Sequence, residues 1–362
     1  MTILRTEVVD QAIDRRTGRF GRFLKEQIVV RGSVPLAMVR KRAVEHEGSC
    51  RAAVLLVHGF GQNRYAWHLP SRSFANHLAA AGFDVFNLDL RGQGKSRRFG
   101  APRPGSVDEY IEHDMPRAFE EVRQLSGQST LFLVGHSLGG LLSYATAPLY
   151  PRIVRGVVTI GSPFRFTEGS GVLRVLSSVV AGLDKLGLAP ANVPVPIRLL
   201  GRTMHGLQKY LESPLYPIAL RGWHAGAIEP EILGEHMAHA FDMANVPVML
   251  TMFRWSKSAF GGTRRSKVDG LDYAERFERS TQPLLVIAGT GDDLAPPDSV
   301  EPAYLVSRAS DKTYRELPLG HIDLLVGTEA PTTVWPMVER WLTARSSTPV
   351  VRRALAVGDD VP

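Results

Sequence analysis

A serine hydroxyl becomes a nucleophile when a histidine takes its proton and a carboxylate holds that histidine, and this sequence has all three groups in suitable settings. Residues 134–140 read VGHSLGG, which places Ser137 in a GxSxG turn. Gly135 and Gly139 let the chain reverse sharply without a Cβ clash, leaving the hydroxyl held out toward a substrate carbonyl. GHIDLLVG, residues 320–327, supplies His321 on a loop opened by Gly320, and GTGDDLAPP, residues 289–297, supplies Asp292 and Asp293. An acid three places after Gly289, ahead of a small turn ending at Pro296, favours Asp292, with Asp293 the alternative. Asp323, two residues past His321, is read as a local hydrogen-bonding group.

Attack on a carbonyl builds charge on its oxygen, and backbone amides must meet that charge. Leu138 follows the serine at the start of a helix, where unsatisfied donors and the helix dipole favour negative charge, so its amide is one expected donor. The loop HGFGQN, residues 58–63, supplies the other: Phe60 is preferred, with Gly61 the alternative. His58 is read as fixing that loop, and His136 as facing away from the serine. His236 and His239 share one helix face, but no acidic or cysteine ligand set completes a metal site, so both are read as structural or exposed. RGQGKS, residues 91–96, lacks P-loop spacing and is read as a turn. No metal or organic cofactor is expected.

The elements that must position these loops alternate. QIVV (27–30) and PLAMVRKRAV (35–44) read as an opening pair of strands, AAVLLVHG (52–59) as a buried strand, and RSFANHLAAAG (72–82) as an amphipathic helix closed by glycine. Strand FDVFNLDL (83–90) follows, then a helix over 106–126 with a kink near Pro116, then strand TLFLVG (130–135), helix LLSYATAPLY (141–150) and strand RGVVTIGSP (155–163). The rhythm breaks at Pro163 and resumes with PLLVIAGTGD (283–292), TYRELP (313–318) and a helix over 332–345. Repeated βαβ units predict a mostly parallel sheet with helices on both faces. Residues 164–280 show apolar helical stretches, such as 171–188, and proline-rich joints but no strand series, as a cap over the site would.

The 362 residues are 44% apolar, enough for one large domain with an insertion. One cysteine, Cys50, excludes an internal disulfide framework and thiolate zinc clusters. The charged N-terminus has no signal-type apolar stretch and nowhere do 18 apolar residues run together, so the sequence points to the cytoplasm. Net charge is +7, from short arginine clusters at 15–16, 40–42, 97–98 and 264–265 that are interleaved with acids and unaccompanied by any nucleic-acid motif. A solvated basic surface is expected, with weak association with a lipid surface or granule as the alternative, and no nucleic-acid partner.

HGFGQN, FNLDLRGQGKS (86–96), GHSLGG (135–140), GTGDDLAPP and GHIDLLVG together resemble the α/β-hydrolase superfamily over roughly residues 27–345. Within it, residues 58–98 resemble the acid lipases, and GHIDLLVGTEAPTTVWPMVERWL (320–342) resembles the end of polyhydroxyalkanoate synthases, which place cysteine where this chain has Ser137. The resemblance implies an α/β-hydrolase fold with chain order serine, acid, histidine, and hence a catalytic Ser137, Asp292 and His321 with the Phe60 and Leu138 amides at the oxyanion. The implied division is an N-terminal extension (1–26), a core (27–163 and 281–345), a mainly helical cap (164–280) and a flexible tail (346–362). The implied reaction is hydrolysis of a carboxylic ester. Acyl transfer or thioester cleavage would use the same triad, while a non-catalytic acyl-binding protein would be expected to lack one of its members.

Overall fold

The computed structural model describes residues 2–165, 194–195, 222–242, 244–255 and 272–346. The apolar stretch 171–188, the arginine pair 264–265 and the tail beyond residue 346 lie outside the described residues.

Nine strands form one sheet, in the order β1-β2-β3-β5-β4-β6-β7-β10-β11. They are β1 (Thr2–Asp14), β2 (Arg19–Val30), β3 (Leu36–Ala43), β4 (Ala53–Val57), β5 (Asp84–Asp89), β6 (Leu131–His136), β7 (Val154–Ile160), β10 (Leu284–Gly289) and β11 (Lys312–Leu317). Two-residue strands β8 (Pro194–Val195) and β9 (Ala244–Asn245) pair separately. From β5 to β11 every neighbouring pair runs parallel, while β1, β2 and β3 join one another and β5 antiparallel. The expected mostly parallel sheet is present.

Helices cover both faces because the parallel strands are apolar on both. In β4, Leu55 and Val57 enter the core layer that holds Phe119 and Leu141, whereas Val54 and Leu56 enter the layer that holds Phe74 and Trp335. The same alternation recurs in β6 and β10. Helices α3 (Met115–Ser126) and α4 (Leu138–Thr146) lie on the first face, and α1 (Phe74–Ala80) on the second. A short helix α2 (Gly94–Arg98) follows β5. Beyond β7 come α5 (Pro230–His239), α6 (Val246–Trp255), α7 (Tyr273–Glu278), α8 (Pro297–Val306), α9 (Asp323–Val326) and α10 (Val334–Arg345). No helix among the described residues is long and apolar enough to cross a membrane.

Three differences from the sequence reading have physical causes. Residues 1–26, expected as an extension, supply β1 and most of β2, because backbone pairing along the whole hairpin needs no buried side-chain face: residues 2–10 of β1 leave no side chain fully buried. The kink expected near Pro116 is a wide π-type turn over Tyr110–Asp114, which removes the clash between a proline ring and the preceding turn. The basic cluster 40–42 is not a solvated surface. Arg40 is 7% exposed and paired with Asp84 at 2.7 Å and Glu26 at 3.0 Å, and Lys41 is 2% exposed, since alternate β3 positions face opposite sides of a covered sheet.

Candidate active site

Strand β6 ends at His136, helix α4 begins at Leu138, and Ser137 makes the corner between them. Its φ of 52° is the one positive value of a non-glycine residue among the described residues, a strained backbone that neighbouring contacts must hold. The Ser137 amide donates to the Ile160 carbonyl at 3.1 Å, and its carbonyl accepts from Gly140 and Leu141 at 3.1 and 3.2 Å. The glycines are required by proximity. A Cβ on Gly135 would lie 2.4 Å from the Gly139 carbonyl, and one on Gly139 would lie 2.1 Å from the Val57 carbonyl oxygen. Ser137 remains half-buried while residues 131–136 and 138–147 are buried.

The loops after β10 and β11 bring Asp292 and His321 together. His321 Nδ1 donates to Asp292 Oδ2 at 2.7 Å, with the residues 6% and 2% exposed. Asp292 Oδ1 accepts from the Leu294 and Ala295 amides at 2.9 and 2.7 Å, so both oxygens of the buried carboxylate are engaged. A proton held on Nδ1 leaves Nε2 as the basic nitrogen. Asp293 is exposed in the same turn.

Two glycines measure how closely the loops meet. A Cβ on Gly161, whose φ is 52°, would stand 3.1 Å from Asp292 Oδ2 and 3.2 Å from His321 Nδ1. One on Gly59 would stand 3.1 Å from Ser137 Cβ. The loop after β4 therefore borders the serine, and the loop after β7 borders the acid–histidine pair. Among the described residues, the amides of Phe60 and Leu138 have no protein acceptor. Such donors beside a nucleophile are free to meet an oxyanion.

The other histidines separate by their partners. His58 is buried, its Nδ1 donates to the Gly59 carbonyl at 2.9 Å, and its Nε2 accepts from the Leu90 amide at 3.2 Å, so it ties the loop as expected; burial lowers its pKa. His136 Nε2 donates to the His321 carbonyl at 3.1 Å and its ring lies 4.5 Å from the His321 ring, while burial holds it well below the usual histidine range. It thus braces the His321 loop from behind the elbow. His236 is fully buried, neither of its nitrogens hydrogen-bonded among the described residues, and burial lowers its pKa to about 4. His239 packs its ring 5.4 Å from Tyr65. No group of three or more potential metal ligands occurs among the described residues.

The glycine-rich RGQGKS segment is committed elsewhere. The Gly94 amide donates to Asp242 Oδ2 at 2.7 Å and the Lys95 amide to Asp89 Oδ2 at 2.9 Å, so carboxylates of the protein occupy the donors that a phosphate would need.

Sequence reasoning missed the part played by residues 222–242, which hold two site loops at once. The Ile322 amide donates to the Gly222 carbonyl at 2.7 Å. Asp323 Oδ2 accepts from the amides of Gly320 at 2.9 Å and His224 at 3.1 Å, and burial raises the pKa of this carboxyl. On the other loop, the Asn63 amide donates to Ala240 at 3.0 Å and the Asp242 amide to Gly61 at 2.8 Å. Backbone pairings of this kind leave no side-chain signal in a sequence. The GSP that ends the 155–163 strand was the one available hint to Gly161.

Residues 52–194 match the sequence profile of the family described as alpha/beta hydrolase fold. The chain has the α/β-hydrolase fold. A poly(3-hydroxyalkanoate) polymerase subunit of Haloferax mediterranei is 26% identical over 311 residues, covering 82% of this chain and 59% of the other. The chain spans about three fifths of the length of the haloarchaeal polymerase subunits it matches. A mouse (Mus musculus) (lyso)-N-acylphosphatidylethanolamine lipase is 27% identical over 251 residues, covering 68% of this chain and 67% of the other. The monoacylglycerol lipase of Paleococcus ferrophilus shares the α/β-hydrolase fold at a TM-score of 0.54 and 21% identity, over 86% of this chain and 99% of that one.

Proposed function

We propose that the chain is a serine hydrolase of carboxylic esters that works through an acyl-enzyme on Ser137. The observation that supports this reading most is the 2.7 Å hydrogen bond from His321 Nδ1 to the buried Asp292, on loops that border a strained Ser137 elbow. His321 Nε2 takes the Ser137 proton as Oγ adds to the acyl carbonyl, and Asp292 stabilises the imidazolium that forms. The Phe60 and Leu138 amides hold the oxyanion. The tetrahedral adduct collapses as His321 returns its proton to the departing alkoxide, releasing the alcohol. Water, deprotonated by the same histidine, then cleaves the acyl-enzyme and frees the acid.

A fluorophosphonate probe and a series of p-nitrophenyl esters from short to long chain test the reading. Wild type should be labelled on Ser137 and should hydrolyse the esters, with Ser137→Ala losing both; undiminished turnover by purified Ser137→Ala overturns it. Acyl transfer is a second reading, favoured by the polymerase subunits matched over 82% of this chain. A hydroxyacyl thioester separates the two, since hydrolysis gives the free acid and transfer gives an acyl product on another hydroxyl.

A further inference from the structure

A cavity of about 300 Å³ lies under α1 on the sheet face formed by alternate residues of β2, β3 and β5, away from the serine elbow. That volume falls at the lower end of the range for small-molecule sites, about 300–1,000 Å³. Its walls include Lys25, Lys41, Arg64 and Lys95, together with Tyr65 and His68. Among the described residues, two carboxylates pair with these four cations. Glu7 on β1 pairs with Lys25 at 2.9 Å, and Asp89 receives Arg64. Among the described residues, Lys95 Nζ donates to the neutral Gln27 Oε1 at 2.6 Å, and Lys41 Nζ to Gln11 Oε1 at 2.6 Å and Asn76 Oδ1 at 2.7 Å, with the His68 ring nitrogens at 3.2 and 3.3 Å. Lys41 is 2% exposed, which makes an ammonium without a carboxylate costly there. An adjoining cavity of about 170 Å³ shares Arg64 and Lys95 and adds Arg98 and Arg97, the latter paired with Asp242 of the same wall at 3.1 Å.

We propose that this cavity is a binding site for the phosphoryl group of a small phosphate or phosphate monoester, with Lys25, Lys41 and Lys95 as its charged donors. The three side chains stand on separate elements and line one cavity. A tetrahedral group with three or more charged oxygens can answer all of them, whereas a planar carboxylate has two oxygens to offer. Burial, with Lys25 and Arg64 nearby, holds Lys41 well below the usual lysine range. His68 beside it is lowered in the same way, chiefly by burial and then by Lys41. The groups facing Lys41 are thus Lys25 and its partner Glu7, Arg64, Lys95 and a neutral His68. An incoming anion favours the ammonium form, so binding should be accompanied by proton uptake. The assignment is independent of the esterase reading, because none of these side chains reaches Ser137, Asp292 or His321.

Isothermal titration of the full chain at low salt with inorganic phosphate, glycerol phosphate and vesicles containing phosphatidic acid tests the site, with acetate as the carboxylate control. Saturable one-to-one binding of phosphate or the monoester is expected, weakened about tenfold in each of Lys25→Gln and Lys95→Gln, as for loss of one charged hydrogen bond. Binding heats in buffers of different ionisation enthalpy should report proton uptake that Lys41→Met removes. Ser137→Ala should bind as wild type does. Vesicle binding lost in the same variants assigns the phosphoryl group to a lipid headgroup, and binding of the soluble monoester alone assigns it to a metabolite. Acetate binding as tight as phosphate, no saturable binding, or binding unchanged in both glutamine variants overturns the proposal.

Discussion

Asp292→Asn separates the acid's role in the site from its role in the fold, because the structure dictates how the new amide must sit. Asp292 Oδ1 accepts two backbone amides, at 2.9 Å from Leu294 and 2.7 Å from Ala295. An asparagine keeps both bonds only if its oxygen occupies that position, which turns its NH₂ toward His321 Nδ1, 2.7 Å from the group it replaces. Two donors cannot face each other, so the histidine moves its proton to Nε2 and presents a bare Nδ1. Nε2 then cannot accept the Ser137 proton. The flipped amide would restore the correct tautomer but strand two buried donors, at about 1–3 kcal/mol each. The unproductive form therefore dominates, and kcat should fall about 10⁴-fold, or about 5.5 kcal/mol in the barrier. Stability should change little, since the two amide bonds survive. Stopped-flow release of p-nitrophenol measures acylation directly, with circular dichroism as the check on folding and exposed Asp293→Asn as the control. If Asp292→Asn keeps more than about a tenth of the activity, or Asp293→Asn loses as much, the tautomer argument is wrong.

Other expectations follow from the same contacts. His236, buried with a pKa of about 4, is neutral in the folded chain across a range where the unfolded chain binds a proton near pH 6.5. Stability is therefore lost as pH falls from about 6.5 toward 4, by about 3 kcal/mol at the lower end. Subtracting the urea-unfolding curve of His236→Leu from that of wild type isolates this slope, because the raised carboxyls of Asp84, Asp114 and Asp323 act oppositely in both proteins; a flat difference refutes it. Asp323→Ala strands the Gly320 and His224 amides and should cost about 2–4 kcal/mol with a loss of kcat, while Asp323→Asn, which keeps an acceptor, should recover most of both. Gly161→Ala places a methyl group 3.1 Å from Asp292 Oδ2 at a φ of 52° and should lower kcat at least about tenfold with KM little changed. A wild-type kcat in that variant would show that the pair tolerates displacement.

The parallel core was legible because buried strands such as AVLLV and LFLV are apolar at every position, and the site loops because chemistry restricts their residue types. Ser137 needs glycine neighbours, and those glycines stand in the sequence. The spacing favours Asp292 over Asp293, and in the fold the Asp292 side chain is pinned by two amides and meets His321, whereas Asp293 is exposed. What stayed hidden has no side-chain periodicity. The outer half of β1 is a ribbon exposed on both faces, so no alternation marks it. The basic run Arg40–Arg42 misled for the opposite reason. Charge suggests solvent, but β3 lies inside the sheet, where Asp84 and Glu26 accompany Arg40 and neutral amides surround Lys41.

The segment 222–242 bears on how specificity and catalysis are coupled. It lies within the insertion between β7 and β10, yet its backbone bonds to the loop of His321 at one end and to the loop of Phe60 at the other. The proposed general base and one proposed oxyanion donor are thus both fastened to this stretch of the insertion, rather than to the sheet alone. A substrate that shifts residues 222–242 must then shift the proposed catalytic groups, and a displacement near 1 Å at such groups is enough to change rate about 100-fold. Chain-length preference should therefore emerge in kcat as well as in KM. Had these loops been anchored only by β4 and β11, acyl length would register in binding alone.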